Sequence, residues 1–290
     1  MKKKKLFENV VHGIFLILGT ITVGFVLVIT IYLIVSGIPA IAEIGLFNFL
    51  FGQEWASTAA EPKFGILPFI LSSVYGMGGE ILIGVPIGFF TAVFLSKVAN
   101  KKVKAVVGAA VNLLAGIPSV VYGLVGMLVL VPGIRILFNL PDGASLLASI
   151  IVLAVMILPS IIKMSMTALD AVPREYEEGS LALGATTTET YFKVSVPAAK
   201  SGIAAAVVLG VGRAIGETMA VIMVAGNVAN IPTLIGSVRF LTTAVASEMS
   251  YSSPGSLQRN ALFSIALVLF LFIMLINATL NFLLKRDKEK

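Results

Sequence analysis

Six long apolar runs separated by shorter polar segments organise the chain. They lie at approximately His12 to Gly37, Leu67 to Leu95, Val106 to Val131, Ala144 to Leu169, Gly202 to Ala225 and Ala261 to Leu284. A bilayer's hydrocarbon core is about 30 Å thick and a helix rises about 1.5 Å per residue, so a span needs roughly 20 apolar residues. Every run meets that length. The pattern predicts an all-α polytopic membrane protein with six transmembrane helices, the whole of residues 1–290 forming one membrane domain. Two longer polar stretches, Pro39 to Ile66 and Asn227 to Asn260, fall on one side, with Trp55 and its neighbouring phenylalanines expected to anchor at the interface. One long loop, 170–201, falls on the other.

Composition agrees, with 58% hydrophobic residues, 12% charged and a mean hydropathy of +1.01. No ordinary soluble domain has these values. The net charge of +6 then needs a membrane explanation. With the N-terminus inside, the internal segments hold Lys2 to Lys5, Lys97, Lys101, Lys102, Lys104, Arg174, Lys193, Lys200, Lys285, Arg286, Lys288 and Lys290. The external ones hold Lys63, Arg135, Arg239 and Arg259. Fifteen against four is the positive-inside bias, and an even number of spans puts both termini in the cytoplasm. The charge thus reflects topology and no nucleic-acid partner. The MKKKK start and the small residues Ala40-Ile41-Ala42 imitate a secretory signal, but the apolar run is too long for one, and the segment is expected to stay as a span. There is no cysteine, hence no disulfide or thiol chemistry.

Charges inside the runs are the candidate chemistry. Arg213 and Glu217 sit in the fifth run, and a charge at the centre of a span costs about 2.5–3.5 kcal/mol, so each must face protein or water and find a partner. Four residues apart on a continuous helix, they would share one face. Two readings follow: an ion pair that neutralises itself, or an arginine fork presented to a passing oxyanion and steadied by the glutamate. Glu80 in the second run is open to pairing with Lys163 or to a wet crevice, and Lys163 lies where it can snorkel to the inner surface. Pro118 and Ser119 are placed to kink the third run. The lone His12 makes no metal site, and no nucleophile with a neighbouring base is present, so neither a catalytic nor a metal centre is expected. No G-x-x-x-x-G-K-[ST] segment occurs, so any ATP is handled by another polypeptide.

The internal loop reads EGSLALGATTTETYFKVSVPAAK over 178–200. Leu181 to Ala185 suits a short helix, Gly184 allows a turn, and Pro197 can open the next helix. Taken alone, this is either a solvated connector or a surface of small residues that another protein can approach closely. Its spacing is similar to the EAA loop of ATP-binding-cassette importer permeases: Glu178, the small pair Gly179 and Ser180, then Gly184, and after nine residues Val194, Val196 and Pro197. Small residues stand for the usual alanines and valines for the usual Ile and Leu. LLAGIPSVVYGLVGMLVLVP at 113–132, GRAIGETMAVIMVAGN at 212–227 and FGILPFI at 64–70 resemble the permeases of the phosphate importer, the second segment most closely those of the PstC type. Glu80 and Lys163 depart from that pattern.

The resemblance implies a type I importer permease fold in the cell membrane, with Arg213 and Glu217 on the path of inorganic phosphate. It implies that Glu178, Gly179, Ser180, Leu181, Gly184, Ala185 and Pro197 couple the chain to an ATPase dimer. The other implied partners are a PstA-like second permease, an extracytoplasmic phosphate-binding protein and the lipid bilayer. The chain itself would bind no cofactor, its ATP being used by the partner. A permease of the same class for another oxyanion or small solute is the alternative. An ion-coupled carrier is disfavoured, since it has no need of such a loop.

Overall fold

The computed structural model describes residues 2–286 and is helical almost throughout. Helix α1 (Lys2–Ile44) is followed by a short α2 (Leu46–Phe51) and a two-residue antiparallel pairing of β1 (Trp55–Ala56) with β2 (Lys63–Phe64). Next come α3 (Leu67–Val93), extended by a π turn through Val98, and α4 (Lys101–Gly116). Helices α5 (Ser119–Val125) and α6 (Val131–Leu137) are joined by a second π turn and precede α7 (Leu146–Asp170). The internal loop holds α8 (Arg174–Ala182), α9 (Thr187–Thr190) and α10 (Val196–Ala198). The chain ends with α11 (Lys200–Ile215), α12 (Met219–Val224), α13 (Leu241–Glu248) and α14 (Leu257–Arg286).

Among the described residues, five helical segments are long and apolar enough to cross a membrane: 8–44, 67–98, 119–137, 146–170 and 257–279. A pair bent by 71°, 187–198 with 200–215, makes a sixth when counted as one span. Helix α7 is the hub, its Ile150, Leu153, Ile157 and Ile161 buried between α3 and α11. The approach is close because α3 offers glycine where α7 offers isoleucine. A Cβ on Gly84 would lie 2.6 Å from Ile157 Cδ1, and one on Gly88 2.8 Å from Ile161 Cγ2. Small residues let helices approach where lipid gives no hydrophobic drive to association. Helix α1 packs chiefly along α14, where Ser264 Oγ donates to the Gly37 carbonyl at 2.6 Å. Much of its other described apolar surface, including Phe15 and Phe25, is exposed.

Two of the six predicted runs are not single helices. The third, expected over 106–131, breaks at Ile117 and Pro118, so α4 is separate and the membrane-length segment begins at Ser119. Proline pushes the residue before it out of the α region, and Ile117 accordingly has ψ 127°. The fifth, expected over 202–225, breaks at 216–218, and its first half α11, at 16 residues, is only about 24 Å long. Trp55 is also placed differently from expectation. It is 9% exposed, packed against Phe64 and Phe69, and its indole N–H donates to Glu248 at 2.9 Å. A buried indole needs an acceptor, and Glu248 supplies one. The same carboxylate accepts from Ser57 and pairs with Arg239, tying the two outer segments together.

Candidate functional site

Helix α11 stops at Ile215 because Gly216 follows it and the chain then leaves helical geometry for two residues. The Glu217 side chain serves the next helix: its Oε1 accepts the backbone N–H of Ala220 at 3.0 Å, while its backbone carbonyl accepts Thr242 Oγ1 at 3.0 Å. Arg213 and Glu217 are therefore not one turn apart on a continuous helix. Among the described residues no carboxylate lies within ion-pairing distance of Arg213, which is exposed on α11. The self-neutralising intrahelical pair is absent. Arg213 instead borders an open groove of about 410 Å³ with Ser160 of α7 and Asn277 of α14. A guanidinium, a hydroxyl and a carboxamide supply hydrogen-bond donors without a fixed negative charge, a set that accepts an oxyanion. Ser160 and Asn277 carry no mark in the sequence, being single polar residues inside apolar runs.

Glu80 and Glu217 line a second, small space of about 20 Å³ with Ser73 and Thr242. Glu80 is 1% exposed and neither of its carboxylate oxygens has a partner. The pairing with Lys163 does not form, since Lys163 is on an exposed face of α7.

The internal loop has a fixed base and an open corner. Lys97, at the C-terminal end of the α3 segment, pairs with Glu177 of α8 at 2.6 Å, and Ser195 Oγ donates to the same Glu177 oxygen at 2.8 Å. Tyr191 OH donates to the Lys97 carbonyl at 3.0 Å. Burial opposes the charge on Glu177, but the hydrogen bonds from Lys97 and Ser195 and the charges of Lys97 and Arg174 outweigh it and hold the carboxyl below its usual range. Helix α8 ends at Ala182, and Gly184 two residues on takes φ +86° and permits the left-handed turn that closes the helix. The short helix expected over Leu181 to Ala185 instead spans Arg174–Ala182, because the chain turns at Gly184 as expected, and α9 beyond the turn is fixed by a capping box between Thr186 and Glu189. Ser180 Oγ meets Thr190 Oγ1 at 3.0 Å, bracing the two helices together.

At the corner, Leu183 is 91% exposed, and Glu178, Gly179, Leu181 and Gly184 are exposed as well. Ala185 is half-buried beneath, and Pro197 is exposed at the far end of the loop. The structure thus gathers Glu178 through Ala185 at one corner and leaves Pro197 apart from it. In the sequence Lys97 marks only orientation, because its partner Glu177 lies far away along the chain.

Membrane-length helices joined by a braced loop are consistent with a transport permease. The chain belongs to the family of binding-protein-dependent transport system inner membrane components, whose model matches residues 84–287. It is 43% identical over 255 residues to a probable ABC transporter permease, YqgH, of Bacillus subtilis, the match covering 86% of this chain and 82% of that one. It is 35% identical over 260 residues to the phosphate transport system permease PstC of Mesorhizobium japonicum, covering 83% and 79%. Among solved structures it is similar to a chain of the inward-facing MetNI methionine ABC transporter, with TM-score 0.57 and 21% identity, covering 77% of this chain and 94% of that one. An amino acid ABC transporter gives TM-score 0.52 at 19% identity. The fold is that of a type I ABC importer permease, and the protein is a multi-pass membrane transporter subunit.

Proposed function

We propose that this subunit forms half of the phosphate path of an ATP-driven importer. A second, PstA-like permease supplies the other half, an ATPase dimer drives the cycle from the cytoplasm, and an extracytoplasmic binding protein delivers inorganic phosphate. Both termini lie in the cytoplasm on this reading, as the lysine and arginine distribution indicates. The observation that carries the proposal is Arg213, a guanidinium with no carboxylate partner among the described residues, beside a groove with further hydrogen-bond donors. The PstC relative supports phosphate as the cargo.

Arg213 offers its fork to the tetrahedral oxyanion, while Glu217 holds the start of α12 and repels the anion from one side. Coupling runs through the loop corner. Leu181, Leu183 and the small residues around Gly184 seat in a groove on the ATPase, and the Lys97–Glu177–Ser195 clamp passes its movement to the inner end of the α3 segment. ATP is bound by the partner and not by this chain. Importers of this class alternate between outward- and inward-open bundles, and the loop is the lever for that exchange.

The test is uptake of labelled phosphate by cells lacking their own high-affinity importer and expressing this chain with its candidate partners. Arg213→Ala abolishes ATP-dependent uptake while the complex still assembles, and Arg213→Lys restores only a part because it lacks the planar fork. Full uptake by Arg213→Ala refutes the assignment of Arg213. Uptake of a different oxyanion by the wild type, with none of phosphate, transfers the same site to that anion.

A further inference from the structure

The Glu80 cavity is not explained by the transport reading. Glu80 lies mid-way along α3 with both carboxylate oxygens buried and unpartnered, lining a small space of about 20 Å³. Ser73 Oγ accepts the N–H of Leu241 at 3.1 Å, and Thr242 Oγ1 donates its hydrogen to the Glu217 carbonyl, leaving its lone pairs toward other donors. Glu217 Oε1 is already engaged by Ala220. Helices α7, α12 and α14 present only apolar side chains to this space, and α11 presents only Ala214 and Ile215. The titratable lining groups are Glu80 and Glu217 alone. Two ionised carboxylates lining one space, with no cation among the described residues paired to Glu80, would repel each other, and Glu80 would lack compensation for its lost hydration.

The space is large enough to admit a water molecule, which needs at least about 10–15 Å³ and two to four polar partners. We propose that Glu80 is a neutral carboxylic acid whose O–H donates to a single buried water, and that this water donates in turn to Glu217. Atoms balance: the water accepts from Glu80 and gives one hydrogen to the Glu217 carboxylate and the other to Thr242 Oγ1. Glu80 is then a positioning residue. It holds Glu217 turned toward α3 and α13, away from Arg213, and so keeps the guanidinium open to the groove. This last consequence rests on the phosphate-path reading; the neutral acid and its water do not.

The experiment is infrared difference spectroscopy on the importer reconstituted with its partner subunits. The wild type shows the carbonyl stretch of a protonated carboxylic acid. Glu80→Gln removes the band, and Glu217→Gln shifts it, because the bridging water then meets an amide in place of a carboxylate. Absence of the band in the wild type, or its persistence in Glu80→Gln, overturns the neutral acid. A band lost in Glu80→Gln but unmoved in Glu217→Gln overturns the bridge. Heavy-carbon labelling of glutamate moves the same band in the wild type, so the neutral acid stays testable if Glu80→Gln does not assemble. Phosphate uptake separates the positioning role: Glu80→Leu raises the half-saturating concentration more than Glu80→Gln does, and equal values for the two refute it. Failure of the Arg213 reading would leave the band in place, so the two outcomes are distinguishable.

Discussion

Removing Glu177 should detach the internal loop from the end of the α3 segment. The Lys97 and Glu177 side chains are only 11% and 21% exposed, and Ser195 adds a second hydrogen bond to the same oxygen. Fully exposed ion pairs contribute about 0–1 kcal/mol, whereas hydrogen bonds to charged groups with restricted solvent contribute about 1.5–3 kcal/mol. We take about 2 kcal/mol for Glu177→Ala, which raises the fraction of time the loop is open by about 30-fold. Hydrogen–deuterium exchange on the purified protein reads this directly, since amide exchange reports the free energy of local opening. Peptides covering 174–195 should exchange about 30-fold faster in the variant, while those from the buried part of α7 keep their rates. The pH dependence has a definite sign. The folded-state carboxyl is held below its ordinary value of 4.5, so the clamp is fully present above that pH and is lost as pH falls through the folded-state value. After correction for intrinsic rates, wild type and variant should therefore converge in acid. Unchanged exchange at neutral pH, or a difference that widens in acid, refutes the clamp.

Three further changes probe other parts of the fold. Gly184→Val forces a β-branched residue into φ +86°, costing about 1–2 kcal/mol at the corner, and should lower phosphate uptake per assembled complex; unchanged uptake would remove the corner from coupling. Gly84→Leu drives a side chain into Ile157, where a Cβ alone would sit 2.6 Å from Cδ1, and should cost about 1–3 kcal/mol as a lower unfolding temperature in detergent; an unchanged temperature would show that α3 and α7 can separate freely. Glu248→Ala strips Arg239, Trp55 and Ser57 of their shared acceptor and should destabilise by about 2 kcal/mol, with Trp55 fluorescence moving as its indole loses its partner; an unmoved spectrum refutes the network.

The membrane class, the approximate position of most spans and the two-helix loop with its glycine turn were legible in the chain alone. Each depends on neighbours in sequence: an apolar run either reaches bilayer length or does not, and Gly184 marks its turn by what it lacks. The EAA spacing was legible for the same reason. The breaks at Pro118 and at 216–218 were less so. Averaged over a span-length window, GRAIGETMAV stays apolar, and nothing local says that Gly216 ends one helix while Glu217 holds the next through Ala220. With that break goes the expected pairing of Arg213 and Glu217.

What tertiary structure alone decided is which polar groups meet. Glu248 joins Trp55 across 193 residues, and Glu177 joins Lys97 from another helix. The Glu80 cavity takes its polar lining from α3, α13 and the break after α11. Transfer into lipid is close to additive residue by residue, so the sequence determines that the chain enters the membrane. The partners of a buried charge are fixed by helix packing, which depends on contacts between distant residues. In a medium without water, those contacts decide whether Arg213 is neutralised or left free.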